Sequence, residues 1–182
     1  MDADVYMAYP DVMGNLQNRL YENLGGRFQL VPDGGGAATN DTGTGGRVSV
    51  ADYDNDGYMD LLVTDGRANL GFPFHFGRRF LLQNQGGSNH WVKFKLLGCQ
   101  SNRDAVGARV RVLAGGVWQA RTLGGGIHNG VQDDPRPNFG LAGNTAVQSV
   151  VVDWPSGAST TLSGLTADQI YTVHEDPLCA RR

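Results

Sequence analysis

Apolar residues along this chain come in short runs rather than in helical stripes. RLYEN, FQLV, VSVADY, DLLVT, FLLQN, WVKFKLLG, ARVRVL, VWQARTL, VQSVVVDW, TTLSGL and IYTVHE are mostly bounded by Gly, Asn, Asp or Pro, and such runs read as strands. WVKFKLL and ARVRVL alternate apolar with basic residues, so each should turn one face to water. The pattern leaves room for one helical turn, around Thr166 to Gln169, with Thr166 as its cap. The fold class expected is therefore all-β.

One internal repeat is present. DADVYMA from Asp2 aligns with MDLLVTD, Asp4 on Asp60, and LYENLGG from Leu20 aligns with LLQNQGG from Leu81. A unit of about 60 residues with several strands has the size of a β-propeller blade. Only one whole unit fits, whereas a closed propeller takes roughly four to eight blades. A piece of a longer protein or a degenerate remnant is expected. The organisation read from these patterns is a single blade-like antiparallel sheet over residues 1–88, a β-sandwich or barrel-like domain over 89–176 and a tail over 177–182.

The 182 residues suffice for a real core, and 40% hydrophobic with 18% charged residues is too apolar for a disordered chain. The 27 glycines follow no short period, which excludes collagen and points to tight turns. A formal net charge of -3 offers no general attraction to nucleic acid or anionic membranes. No stretch is long and apolar enough to span a membrane, and MDADVYMAYP lacks the basic flank and apolar run of a signal peptide. Cys99 and Cys179 either pair or stand as separate thiols.

The chemistry concentrates in Asp52-Tyr-Asp54-Asn-Asp56-Gly57-Tyr58-Met-Asp60, with carboxylates at positions 1, 3, 5 and 9 and glycine at position 6. Calcium takes about six to eight oxygen ligands, and a tight loop presents alternate side chains to it, with a backbone carbonyl from position 7, here Tyr58. One calcium site is expected, with Asp52, Asp54, Asp56, Tyr58 and Asp60 as its residues. An EF-hand would need a Glu at position 12 between helices, but position 12 is Val63 in a strand. Magnesium, which keeps several waters, suits the loop less well. The competing reading is an acidic turn without metal, which four aspartates with no nearby cation disfavour. Asp2 and Asp4 match only the end of a second such loop.

DYDNDGYMDLLVTDG resembles an FG-GAP or VCBS repeat. From about Asn89 to Glu175, NHW, SNRDAVGARV from Ser101, NFGLAG from Asn138, DWPSG from Asp153 and the closing YTVHE resemble the ASPIC/UnbV domain of proteins similar to cartilage acidic protein. The resemblance implies an extracellular or cell-envelope calcium-binding propeller with a C-terminal β-rich module, adhesive in role and without an established reaction. It places the calcium positions on Asp52, Asp54, Asp56, Tyr58 and Asp60. Tyr58 departs from a pattern that often has an acid at position 7.

Other polar positions carry weaker signals. Asn102, Arg103 and Asp104 read first as a turn and second as a ligand-binding cluster. Trp154, before Pro155 and Gly157, reads as core and second as a sugar-stacking platform. The stretch GGGIHNGVQDDPRPNFG holds His128, Asp133, Asp134 and Arg136, a candidate acid/base or second metal site that a glycine-rich loop does not promise to organise. Gly34 to Gly36 and Gly124 to Gly126 lack the Lys and Ser/Thr of a phosphate loop. His75, His90 and His174 have no partner at metal spacing, and Phe72, Phe74 and Phe76 suit a sheet edge or a docking patch.

The function expected is a non-catalytic binding or interaction module with structural calcium, its partner a protein or glycan. Open strand edges predict a homodimer. The alternatives are a glycan-acting hydrolase or accessory enzyme using Asp133 and Asp134, and a folded remnant without its partner.

Overall fold

The computed structural model describes residues 3–8, 17–38, 46–65, 79–124, 127–128 and 131–178. The short apolar runs become strands, and the described residues hold no α-helix. β1 (Val5–Met7), β2 (Arg19–Asn23) and β3 (Phe28–Val31) form an antiparallel sheet in that order. A 3-10 turn at Pro32–Gly36 follows, with positive φ at Asp33, Gly34, Gly35 and Gly36, which accounts for the glycine run there. β4 (Gly46–Ala51), β5 (Asp60–Asp65) and β6 (Arg79–Leu82) make the second antiparallel sheet.

The repeat seen in the sequence is a repeat of contacts. Asp4 Oδ1 accepts the backbone N–H of Asn23 at 2.9 Å, and Asp60 Oδ1 accepts that of Asn84 at 2.8 Å. Asn23 then receives Gly26 N–H on its side-chain oxygen at 2.9 Å, as Asn84 receives Gly86 N–H at 3.0 Å. In each copy an aspartate at or just before the start of one strand fixes the turn that ends the next.

The C-terminal part comprises β7 (His90–Leu97), β8 (Arg109–Ala114), β9 (Val117–Thr122), β10 (Ile127–His128), β11 (Val131–Gln132), β12 (Asn138–Ala142), β13 (Ala146–Asp153), β14 (Ser159–Thr166) and β15 (Gln169–His174). One sheet has the order β12-β7-β15, with β15 parallel to β7, and the other has the order β14-β13-β8-β9. Their inner faces share one core, built from Val92, Phe94 and Leu96 of β7, Val110 and Val112 of β8, Phe139 and Leu141 of β12, and Val150 and Val152 of β13. Phe94 meets Phe139 edge-on at 5.9 Å and stacks on Tyr171 at 6.2 Å. Of the two architectures expected, the chain adopts the sandwich; no sheet of the described residues closes into a barrel.

Three expectations need correction. Thr166 to Gln169 is no helical turn: Asp168, at φ 58°, turns the chain tightly from β14 into β15. β8 shows the predicted alternation, but β7 does not, because Lys93 on its outward face is fully buried. The acidic loop between β4 and β5 covers it. The outer edge of β4 is not open either: Ser49 Oγ donates to Gln132 O at 2.5 Å, Val50 N–H to Asp133 Oδ1 at 2.8 Å, and Asp134 N–H to Val50 O at 2.9 Å. That segment covers one of the strand edges that the blade was expected to leave open.

Phe72, Phe74, Phe76, His75, Asp2 and Cys179, and Gly125 and Gly126 of the second glycine run, lie outside the described residues. Cys99 is disulfide-bonded.

Candidate metal centre

The loop leaves β4 at Ala51 and enters β5 at Asp60, so two paired strands fix its ends. Asp52 and Asp60 are buried there, whereas Asp54 and Asp56 reach solvent. Asp52 Oδ2 accepts Gly57 N–H at 3.0 Å, tying the start of the turn to its middle, and Asp60 Oδ2 accepts Tyr53 N–H at 3.1 Å, tying its end to its start. Asp54 Oδ1 accepts Asp56 N–H at 3.3 Å, and Asp56 Oδ1 accepts Tyr58 N–H at 2.8 Å. Oxygens of Asp52, Asp54 and Asp60 lie within 4.8 Å of one another. Asp56 is outside that group, and the Tyr58 hydroxyl points away to donate to Gly87 O at 2.6 Å or Asn89 O at 2.7 Å. Only the backbone carbonyl of Tyr58 can serve the loop.

One atom tests whether these residues fit a metal ion. Asp52 Oδ1 is buried without a hydrogen-bond partner, a costly state for a carboxylate oxygen unless a cation or water completes it. It belongs to the acidic group in which three carboxylates converge. The donor set is all oxygen, which suits a hard cation such as calcium.

The C-terminal sandwich grips this loop from the other side, which sequence reading did not foresee. Lys93 Nζ is hydrogen-bonded to Asp52 Oδ2 and lies 3.6 Å from Asp134 Oδ2. Arg136 donates to Asp134 Oδ2 at 2.7 Å, to Asp52 O at 3.1 Å and to Asn55 Oδ1 at 2.6 Å. Asn138 Nδ2 donates to Gly57 O at 3.1 Å. Odd positions of the loop carry the acidic groups, while Asn55 and Gly57, at even positions, are held by the sandwich. Two cations thus stand beside the aspartates, against the expectation of none nearby.

Burial alone would raise the pKa of Asp134, but the Arg136 guanidinium and N–H, with Lys93, hold it below the ordinary value. Asp134 in turn raises that of Arg136. With Asp133 Oδ1 bonded to Val50 N–H, both carboxylates of the candidate acid/base pair have structural partners. Glu175 is a second ordered carboxylate: Oε2 accepts the N–H groups of Cys99, Gln100 and Ser101 at 2.7–2.8 Å, and Oε1 accepts the hydroxyls of Ser101 and Ser156. Burial raises its pKa, and those donors outweigh burial and lower it to about 2.

The other candidates are dispersed. Asn102 donates to Val106 O and accepts Val106 N–H, each at 2.8 Å, which makes it the organiser of its own turn, with Arg103 and Asp104 exposed beside it. Trp154 is buried in the core and donates to Thr160 Oγ1 at 2.8 Å, so it presents no open face for a sugar. His90 does have an acidic partner, Asp168 at 2.7 Å.

An acidic-loop blade seated on a β-sandwich is the class that the fold and the site define. The comparisons with family models agree with it: residues 1–63 match an FG-GAP-like repeat and residues 98–178 match ASPIC and UnbV. The chain carries an FG-GAP-like repeat segment followed by an ASPIC and UnbV domain. No curated protein matches it. Trp91 and Lys93 fall between the two matched spans.

Proposed function

We propose that this chain is a calcium-stabilised, non-catalytic binding module of propeller type, acting outside the cell or at its envelope. The buried, partnerless Asp52 Oδ1 beside Asp54 and Asp60 is the observation that carries the calcium reading. Asp52, Asp54 and Asp60, with Asp56 and the Tyr58 carbonyl, would hold the ion, which would supply positive charge to carboxylates that otherwise repel. Its role is structural, to rigidify the loop that joins blade to sandwich. The Cys99 disulfide supports an oxidising compartment. The structural partners of Asp133 and Asp134 favour binding over acid/base chemistry.

The partner reading rests on exposed apolar strands: Val5, Met7, Phe28 and Leu30 on the first sheet, Leu62 and Leu81 on the second. Register puts Leu62 opposite Leu81 and on one face with it. A protein surface, including that of a second copy, suits these faces better than a sugar does. Light scattering that shows a monomer at micromolar concentration would remove the second copy.

The calcium reading is tested by calorimetric titration of the chain and of Asp54→Ala. Asp54 is exposed, and its side chain holds only the Asp56 N–H and the Gln83 amide, so its loss should leave the fold intact. One site in the wild type that disappears in the variant is expected. No binding at millimolar calcium in either would overturn the reading.

A further inference from the structure

Lys93 is the group that nothing in the loop pattern requires. It sits on β7, opposite Asn138 in the register of β12, and its ammonium is wholly buried. Its nearest carboxylate is Asp52, the first acid of the loop, and its next is Asp134. Asp52 therefore divides its two oxygens: Oδ2 carries Lys93 and Gly57 N–H, and Oδ1 has no partner in the protein. A buried positive charge in contact with one oxygen of a ligating carboxylate repels a divalent ion at the other, strongly so out of reach of water.

We propose that Lys93 is a built-in counter-cation that sets the calcium affinity of the loop. It rests on the calcium reading above and deepens it. Lys93 neutralises Asp52 when no ion is bound, so the loop keeps its seat on the sandwich without calcium. The same charge weakens the ion's hold. A loop lacking it would bind calcium more tightly and depend on calcium more heavily for its fold. Asp134, held on both oxygens by the Arg136 guanidinium, is the second carboxylate near Lys93. The lysine is a positioning residue, and a purely structural lysine would predict the opposite sign for affinity.

The experiment compares wild type, Lys93→Gln and Lys93→Met by calorimetric calcium titration, with thermal melts in calcium and in chelator. Lys93→Gln keeps a hydrogen-bond donor toward Asp52 and removes the charge, and Lys93→Met removes both. The expected result is calcium bound at least about tenfold more tightly by the glutamine variant than by wild type. Its melting temperature in chelator should be lower and the gap between the two melts wider. Calcium heat that is unchanged or weaker in Lys93→Gln would overturn the role of Lys93 and leave the calcium site standing. Absence of calcium heat from wild type and both variants would overturn the calcium reading itself.

Discussion

Gly57 lies flat against the indole of Trp91, so close that a Cβ on it would fall 1.8 Å from Cε2 of the ring. Its φ of +92° is also one that side chains rarely accept. The glycine at position 6 thus satisfies the turn and the domain contact together. Gly57→Ala should cost about 1–2 kcal/mol for the backbone and about 1–3 kcal/mol for the overlap. An unfolding free energy from denaturant titration lowered by less than roughly 1 kcal/mol would show that Trp91 moves aside freely.

Calcium at about a hundredfold its dissociation constant should stabilise the chain by about 2.7 kcal/mol. For a chain of this size that is a rise in melting temperature of roughly 5–10 °C. Asp54→Ala should melt at one temperature in calcium and in chelator, which differential scanning fluorimetry reads directly.

Arg136 joins Asp134 to the backbone of the loop. Arg136→Ala should destabilise by about 2–3 kcal/mol, less than a lone buried pair would lose because Lys93 still faces Asp134. Arg136→Lys should recover little, since one ammonium cannot reach Asp134, Asp52 O and Asn55 as the fork does. Full stability in the lysine variant would mean that charge alone matters there.

Glu175 has a folded pKa of about 2 against an ordinary 4.5. Its contribution is therefore complete above pH 4.5 and is lost as the pH falls from 4.5 through 2. Glu175→Gln should be less stable than wild type at pH 7 and should lose part of the acid sensitivity in that window. Asp134, also lowered, keeps the rest. Parallel pH-stability curves for the two proteins would contradict the assignment.

Strands, the repeat and the acidic loop were legible because each is a local pattern. Alternation in ARVRVL marked the faces of β8, and the spacing of Asp52, Asp54, Asp56 and Asp60 marked the turn. What escaped was set by contacts between distant segments. Lys93 alternates like Lys95, but only Lys95 reaches water, because a loop some forty residues earlier covers the first of them. Asp134 and Arg136 looked like loose loop residues until pairing of 131–134 with β4 brought them to the aspartates. The spacing of the acids announces a loop for an ion, and is silent on the protein's own cations beside it.

The parallel pairing of β7 with β15 has a consequence for how the chain is made. β7 holds Trp91 and Lys93, the seat of the acidic loop, yet one of its two neighbours is β15, the last strand of the described residues. On a ribosome the loop and the edge of β4 emerge long before that seat is complete, with their aspartates bare. The seat is therefore complete only once β15 has paired with β7, far along the chain from the loop that it holds.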